Sequence, residues 1–193
     1  MNSRKAGIII LAAGASSRFE GNKLSACYRG RMLFEYTLEA VSKIRKCPVY
    51  IVTAQDIIAD AAQKLGFATV RNERAELGIS LSIKLGIEAC LSDHPDISAM
   101  LFCVCDQPEL SASTMERIIE TGIENPGSIV RPRSGKLYGN PCLWDRRFFE
   151  ELASLSGDEG GRSIMKEHHD SIIYLDVPEN ELADIDYRED IKE

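Results

Sequence analysis

Two cations follow closely on the first apolar run of the chain. Residues 7–11 form that run, which predicts a buried strand, and small residues around Gly14 lead to Arg18 and Lys23. Small side chains let backbone N–H groups approach an anion, and the two cations neutralise its charge. We therefore predict a phosphate-binding loop. It is neither a P-loop, because no Ser or Thr follows the lysine, nor the dinucleotide fingerprint G-x-G-x-x-G.

A carboxylate is predicted at the same edge of the sheet. Asp106 comes just after the apolar run 99–104, which predicts a central strand. Ligands of open parallel sheets bind outside the carboxyl ends of the strands, and a carboxylate oxygen there can bridge Mg²⁺ to a phosphate. The alternative is a helix cap, but Ser111 stands closer to the start of the next helix. We favour a magnesium ligand.

Three other polar segments each allow two interpretations. Asp184 and Asp186 lie on one side of an extended segment; alone they suggest an acidic tail, and their pairing with Asp106 favours a metal role. Residues 157–162 either cap a short helix or contact substrate. The cations of the polar loop 131–136 either hold a phosphate or form a solvated face; they are Arg131, Arg133 and Lys136.

These residues need a scaffold of alternating strands and helices. The predicted strands are 7–11, 48–53, 68–71, 99–104, 128–131, 142–144 and 171–175, and the predicted helices are 32–44, 56–65, 79–91, 111–123, 146–155 and 160–166. Repeated β-α-β units predict a three-layer α/β/α fold with a mostly parallel sheet. The stretch near residue 140 allows one antiparallel strand. We expect a single domain over residues 1–193.

Composition limits the partners and the compartment. The 193 residues carry a net charge of −7, which argues against nucleic acid or an anionic membrane as a partner. No apolar stretch approaches the ~20 residues that span a bilayer, and the N-terminus lacks the pattern of a signal peptide. The six scattered cysteines indicate reduced thiols in a cytoplasmic protein. Cys103 and Cys105 would face the same way, which leaves a redox or metal role open.

Five segments together resemble one known family. They are Leu11-Ala12-Ala13-Gly14 with Ser16, Arg18 and Lys23; Cys105-Asp106-Gln107-Pro108; Gly139-Asn140-Pro141; Gly157-Asp158-Glu159-Gly160-Gly161-Arg162; and Asp184-Ile185-Asp186. In order and over residues 7–191, the chain resembles the MobA-like nucleotidyltransferases, and most of all their molybdenum cofactor cytidylyltransferase branch. Two positions depart from the family: Asn140 replaces a usual histidine, and Cys105 replaces a usual glycine.

The resemblance implies a Rossmann-like nucleotidyltransferase that transfers CMP from CTP to the terminal phosphate of molybdopterin. The catalytic residues would be Lys23, Arg18 and Asp106, and Asp106 and Asp186 would hold Mg²⁺. The nucleotide would contact Leu11, Ala12, Ala13, Gly14, Ser16, Ser17, Arg18, Lys23 and Asp106. The pterin substrate would contact Gly78, Ser80, Ser82, Gly139, Asn140, Pro141, Gly157, Asp158 and Arg162.

The form Leu-Ala-Ala-Gly is the one associated with cytidine in that family, so the resemblance alone favours CTP over GTP. A transient contact with a molybdoenzyme or its chaperone is also implied. Three alternatives stay open: a guanylyltransferase on the same cofactor, a cytidylyltransferase acting on a sugar or alditol phosphate, and a carrier that binds the cofactor without reacting.

Overall fold

The computed structural model describes residues 4–14, 19 and 21–190. The strands are β1 (Ala6–Ala12), β2 (Cys27–Tyr28), β3 (Arg31–Met32), β4 (Val49–Thr53), β5 (Ala68–Arg71), β6 (Ala99–Val104), β7 (Ile129–Ser134), β8 (Leu137–Tyr138), β9 (Cys142–Asp145) and β10 (Ile172–Asp176). The α-helices are α1 (Leu33–Ser42), α2 (Asp56–Lys64), α3 (Ile79–Asp93), α4 (Ala112–Glu124), α5 (Phe149–Ala153) and α6 (Arg162–Glu167). Short 3₁₀ turns connect several of them.

One mostly parallel sheet, flanked by helices, forms the centre of the molecule, which confirms the predicted fold class. Its strand order is β10-β7-β9-β6-β1-β4-β5. The antiparallel strand is β9, as expected near residue 140, and it pairs with β6 and β7. The two-residue β8 pairs antiparallel with the end of β7, outside this order. A separate pair, β2 and β3, follows the first loop.

The sheet is buried on both faces. Along β1, Ile8 and Ile10 belong to one apolar cluster, and Ile9 belongs to the cluster on the opposite face. All three are fully buried. Because successive side chains of a strand point to opposite faces, a strand covered on both faces reads as a continuous apolar run. This is why β1 and β6 could be found from the sequence.

Several local predictions are confirmed and others are wrong. The Ser111 hydroxyl accepts a hydrogen bond from the Thr114 N–H at 3.1 Å and so caps α4, as predicted. The predicted loop 131–136 is wrong in its first part, because β7 continues to Ser134. Pro132 is tolerated there because the pairing of β7 with β9 covers only Ile129 and Val130.

Two further differences concern short elements. The predicted helix 146–155 is a 3₁₀ turn followed by the five residues of α5. The β2–β3 hairpin was missed; its turn residues Arg29 and Gly30 both have positive φ, at 46° and 83°, which is the geometry of a two-residue hairpin turn. Among the described residues, no helix has the length and apolar character to cross a membrane.

The two strand cysteines are packing residues. Cys103 and Cys105 are both buried, and burial raises the pKa of each thiol well above its ordinary value. A thiol held in its neutral form is a poor nucleophile and a poor metal ligand. The structure therefore disfavours the redox or metal role that the sequence left open.

Candidate active site

The predicted loop and the predicted carboxylate meet at one edge of the sheet. β1 and β6 are parallel neighbours, with Leu11 paired to Val104, so the chain leaves both strands side by side. Gly14 follows the first strand and Asp106 follows the second. A 3₁₀ turn that starts at Lys23 then brings this side chain back over the edge. This is the position at which open α/β sheets bind ligands.

Lys23 lies between two carboxylates. Its Nζ is 2.8 Å from Oδ2 of Asp106 and 3.0 Å from Oδ1 of Asp186, and the residue is only 8% exposed. Burial lowers the pKa of this ammonium, but the hydrogen bonds and charges of Asp106 and Asp186 outweigh that effect, so the pKa lies above its ordinary value. Lys23 is therefore a fixed positive charge rather than a proton acceptor.

The carboxylates around Lys23 fit a divalent cation. Oδ1 of Asp106 is buried and has no hydrogen-bond partner among the residues that the structure describes, while Oδ2 contacts the lysine. Asp184, on the same segment as Asp186, enters the cleft as well. Desolvation of its carboxyl group, followed by the negative charges of Asp106 and Asp186, raises the pKa of Asp184 to about 6. Clustered carboxylate oxygens, one of them unpaired, are suitable ligands for Mg²⁺ or Mn²⁺.

A first cavity of about 360 Å³ opens directly above this group. Of the predicted site residues, it is lined by Leu11, Ala13, Gly14, Lys23, Gly78, Ser82, Asp106 and Asp158. Gly78 and Ser82 thus line the same cavity as Gly14 and Lys23. Ala12 is buried in the sheet core and does not line the cavity. Ser16, Ser17 and Arg18 lie outside the described residues.

A second cavity of about 310 Å³ adjoins the first. Leu11, Ile79 and Val104 line both cavities. Of the predicted substrate residues, the second cavity is lined by Gly139, Asn140 and Arg162. Its lining also includes the apolar or aromatic residues Ile83, Phe102, Tyr138, Trp144, Leu152 and Met165. Tyr138 could not be identified from the sequence, because it lies outside the predicted strands, whereas Trp144 lies on the predicted strand 142–144 and is a core residue, 3% exposed.

Three of the predicted substrate residues have other surroundings. Ser80 is buried, and its N–H donates to the Gly157 carbonyl at 3.2 Å. Pro141 is buried behind Asn140. Gly157 has φ of +63° and is exposed. Gly78 and Gly157 therefore join the start of α3 to the 157–162 segment, and this contact brings two predicted substrate segments together.

The cations of β7 and β8 have different environments. Arg133 is paired with Asp176, with Nε 2.8 Å from Oδ1, and Lys136 is exposed in the turn before β8. Arg131 instead lines the second cavity, with its guanidinium carbon 4.9 Å from the centre of the Tyr138 ring. Its Nε is buried and lacks a hydrogen-bond partner among the described residues. Of the three, Arg131 is the one placed to bind an anion.

A second group of ligand-type side chains lies outside the cleft. Among the described residues, Glu151, Glu167 and His168 have ligand atoms within 4.8 Å of one another. They lie on α5 and at the end of α6, and none of them lines either cavity. His168 already faces Glu151, with Nε2 3.1 Å from Oε2.

Comparisons with known proteins agree with this architecture. The sequence model of the MobA-like NTP transferase domain matches residues 8–172. None of the curated proteins compared with the chain matches it at a significant level. The crystal structure of Rv0371c from Mycobacterium tuberculosis H37Rv superimposes with a TM-score of 0.80 at 24% identity, over 98% of this chain and 96% of that one. Rv0371c has also been solved in complex with manganese.

Two other solved structures are similar in fold. A nucleotidyl transferase from Methanothermobacter thermautotroptrophicus has a TM-score of 0.77 at 21% identity, over 96% of this chain and 94% of that one. The 4-diphosphocytidyl-2C-methyl-D-erythritol synthase from Anaerococcus prevotii has a TM-score of 0.74 at 18% identity, over 98% and 94%. At these identities the structural likeness shows the fold.

Proposed function

Because the chain belongs to the MobA-like NTP transferase family, we propose that it transfers CMP from CTP to the terminal phosphate of a molybdopterin-type cofactor. One observation carries the catalytic part of this proposal. A buried lysine, held between Asp106 and Asp186, faces a cavity at the carboxyl edge of the sheet, and a second cavity adjoins the first. Two reactants can therefore meet beside one fixed cation.

The first cavity suits the nucleotide. Gly14 leaves its backbone open to a phosphate, since a Cβ there would meet no atom of the described residues within 4 Å. Lys23 supplies positive charge, and Arg18 would add to it. Gly78 and Ser82, on the same cavity, would contact the rest of the nucleotide. The preference for CTP rests on the resemblance at Ala13, which lines this cavity.

The second cavity suits an acceptor with a flat heterocyclic body and an anionic group. Tyr138 and Trp144 provide aromatic surface, and Arg131 and Arg162 provide positive charge. The lining also carries hydrogen-bonding side chains, including Asn140 and Asp184, which a pterin ring can use. The choice of a pterin over a sugar or alditol phosphate rests on the family resemblance, and one structural relative is named for a methylerythritol substrate.

The reaction requires little proton transfer. The acceptor phosphate is largely ionised near neutral pH, so its oxygen attacks the α-phosphorus of CTP without a general base. The new bond joins the acceptor oxygen to the α-phosphorus, the α–β anhydride bond breaks, and its electron pair leaves with pyrophosphate. Lys23 neutralises the negative charge that accumulates on the phosphates, and Gly14 orients them through its backbone.

Asp106 and Asp186 would hold a divalent cation. When bound, such an ion supplies positive charge to the triphosphate and neutralises the leaving pyrophosphate. A carrier that only binds the cofactor would not require these carboxylates together with Lys23, which favours catalysis over that alternative.

The decisive experiment measures pyrophosphate release by the purified protein. Reactions contain Mg²⁺, a molybdopterin-type cofactor and one of the four nucleoside triphosphates. Release with CTP alone, and its loss in Asp106→Ala, supports the proposal. Release with GTP instead would keep the reaction and replace the nucleotide. Release only with a sugar or alditol phosphate as acceptor would replace the acceptor, and binding without release would favour a carrier.

A further inference from the structure

The segment that carries Asp184 and Asp186 is attached to the protein by the residue between them. The Ile185 N–H donates to the backbone carbonyl oxygen of Asp106 at 2.9 Å, so the segment is bonded to the backbone of the other predicted metal ligand. The Ile185 side chain is 7% exposed. Of residues 182–190, Ile185 is the one that is buried. A buried apolar side chain inside an acidic, exposed segment attaches that segment to the protein, and we call Ile185 the anchor.

The anchor contacts a small apolar cluster that is distinct from the two large clusters of the sheet. Ile185 packs there with Phe19, Tyr28 and Leu33. Phe19 belongs to the segment that leads from Gly14 to Lys23, Tyr28 to the β2–β3 hairpin, and Leu33 to the start of α1. The same cluster thus joins the segment that carries Asp184 and Asp186 to parts of the chain before and after Lys23.

The side chains of Asp184 and Asp186, on either side of Ile185, reach the side opposite to this cluster. Oδ1 of Asp186 contacts Lys23, and Asp184 lines the second cavity. Further polar contacts lie on either side of these three residues. Before them, Glu181 accepts from the Ser111 backbone N–H at 3.0 Å; after them, Asp190 accepts from the local N–H groups of Asp186 and Tyr187.

We propose that Ile185 is a positioning residue that fixes Asp186 for the divalent cation and couples this acid to the nucleotide loop through Phe19. This inference rests on the proposed function, because it assumes that Asp186 is a metal ligand. Removing the Ile185 side chain would leave Asp106 in place, since Asp106 follows β6. The segment that carries Asp186 would then be held there by the Ile185 N–H and by the contact of Asp186 with Lys23, without apolar packing. Groups that orient metal ligands typically contribute about 10- to 100-fold to metal affinity.

The test measures Mn²⁺ affinity by electron paramagnetic resonance of the free ion, with no substrate present. Ile185→Ala is expected to bind Mn²⁺ roughly tenfold more weakly than the unmodified protein, and Ile185→Leu, which refills the cluster, to restore most of the affinity. Ile119→Ala is the matched control: Ile119 is 9% exposed, lies on α4 and belongs to a different cluster. Thermal unfolding of each variant shows how much folded protein is present.

Each outcome bears on a different claim. Weaker Mn²⁺ binding in Ile185→Ala but not in Ile119→Ala, at equal folded fraction, supports the inference. Equal affinity in both variants overturns it, provided that Asp186→Asn weakens binding. If Asp186→Asn leaves the affinity unchanged, the proposed metal role of Asp186 itself is wrong. Should Ile185→Ala not fold, Ile185→Val is used, and unchanged Mn²⁺ affinity in that folded variant counts against the inference.

Discussion

Gly78, which lines the first cavity, is in direct backbone contact with Gly157. A Cβ atom on Gly78 would lie 2.2 Å from both the carbonyl carbon and the carbonyl oxygen of Gly157, and φ of Gly78 is +93°. Both the conformation and the space therefore require glycine at this position. The contact holds the 157–162 segment against the start of α3, where the Ser80 N–H bonds the same carbonyl.

Gly78→Ala is expected to lower the free energy of unfolding by about 2–4 kcal/mol, because strain at positive φ adds to the steric overlap. Urea unfolding measures it. Gly66→Ala is the matched control: Gly66 also has positive φ (+79°), but in the part of the chain that the structure describes a Cβ there would meet no atom within 4 Å. An equal loss in both variants would show that the Gly157 contact contributes nothing.

Lys23→Ala is expected to lose about 2–4 kcal/mol of transition-state stabilisation, roughly a 30- to 900-fold fall in kcat/KM. The loss follows from removing a preorganised charge beside the phosphates. Steady-state pyrophosphate release with CTP measures it. Lys43→Ala removes a surface lysine paired with Glu39 and should leave kcat/KM unchanged. Activity near that of the unmodified protein in Lys23→Ala would exclude the catalytic role of Lys23.

Arg131→Ala should raise KM for the acceptor by about 10- to 100-fold, as for the loss of a charge-assisted hydrogen bond, and leave KM for CTP almost unchanged. Arg133→Ala is the control, because Arg133 is two residues away on the same strand and is already paired with Asp176. Kinetics with each substrate varied in turn separate the two constants. A larger effect from Arg133 than from Arg131 would contradict this assignment.

The stability of the protein should depend on pH through Asp145. Burial raises the pKa of this carboxyl, but hydrogen bonds from the Gly127 and Arg147 N–H groups and from the Arg4 guanidinium outweigh it, so the pKa lies below its ordinary value of 3.8. A depressed pKa stabilises the fold above the ordinary value, and the contribution disappears as the pH falls through the folded-state pKa.

Asp145→Asn should therefore cost about 1–3 kcal/mol near pH 7, and the difference from the unmodified protein should shrink below pH 4. Urea unfolding at a series of pH values measures this. Asp96→Asn alters an exposed pair with Lys5 and should change stability much less at any pH. A difference for Asp145→Asn that stays constant down to pH 3 would contradict the predicted linkage.

The sequence was sufficient for elements that its periodicity marks clearly. The runs of β1 and β6 predicted central strands, and the rule for parallel sheets placed Gly14 and Asp106 at one edge. It could not distinguish Arg131 from Arg133, which share a face of β7. Their difference comes from the register with β10, where Tyr174 lies opposite Arg131 and Asp176 opposite Arg133. A pairing between strands about 40 residues apart leaves no local signal.

Ile185 was missed for a related reason. An isolated apolar residue in an acidic tail carries no periodicity, so its burial depends on Phe19, Tyr28 and Leu33, which lie more than 150 positions earlier. The β2–β3 hairpin could have been found, because Arg29-Gly30 between two short strands is compatible with a tight turn. Lys23 was identified by its chemistry, but its contact with Asp186 depends on that same distant anchor.

The wall shared by the two cavities limits how this site can change. Leu11, Ile79 and Val104 line both cavities, so under the proposed function a substitution at any of them alters the recognition of nucleotide and acceptor together. Ala13 lines only the first cavity and Arg131 only the second. Nucleotide choice and acceptor choice can therefore diverge independently through those two positions, while the shared wall stays constant.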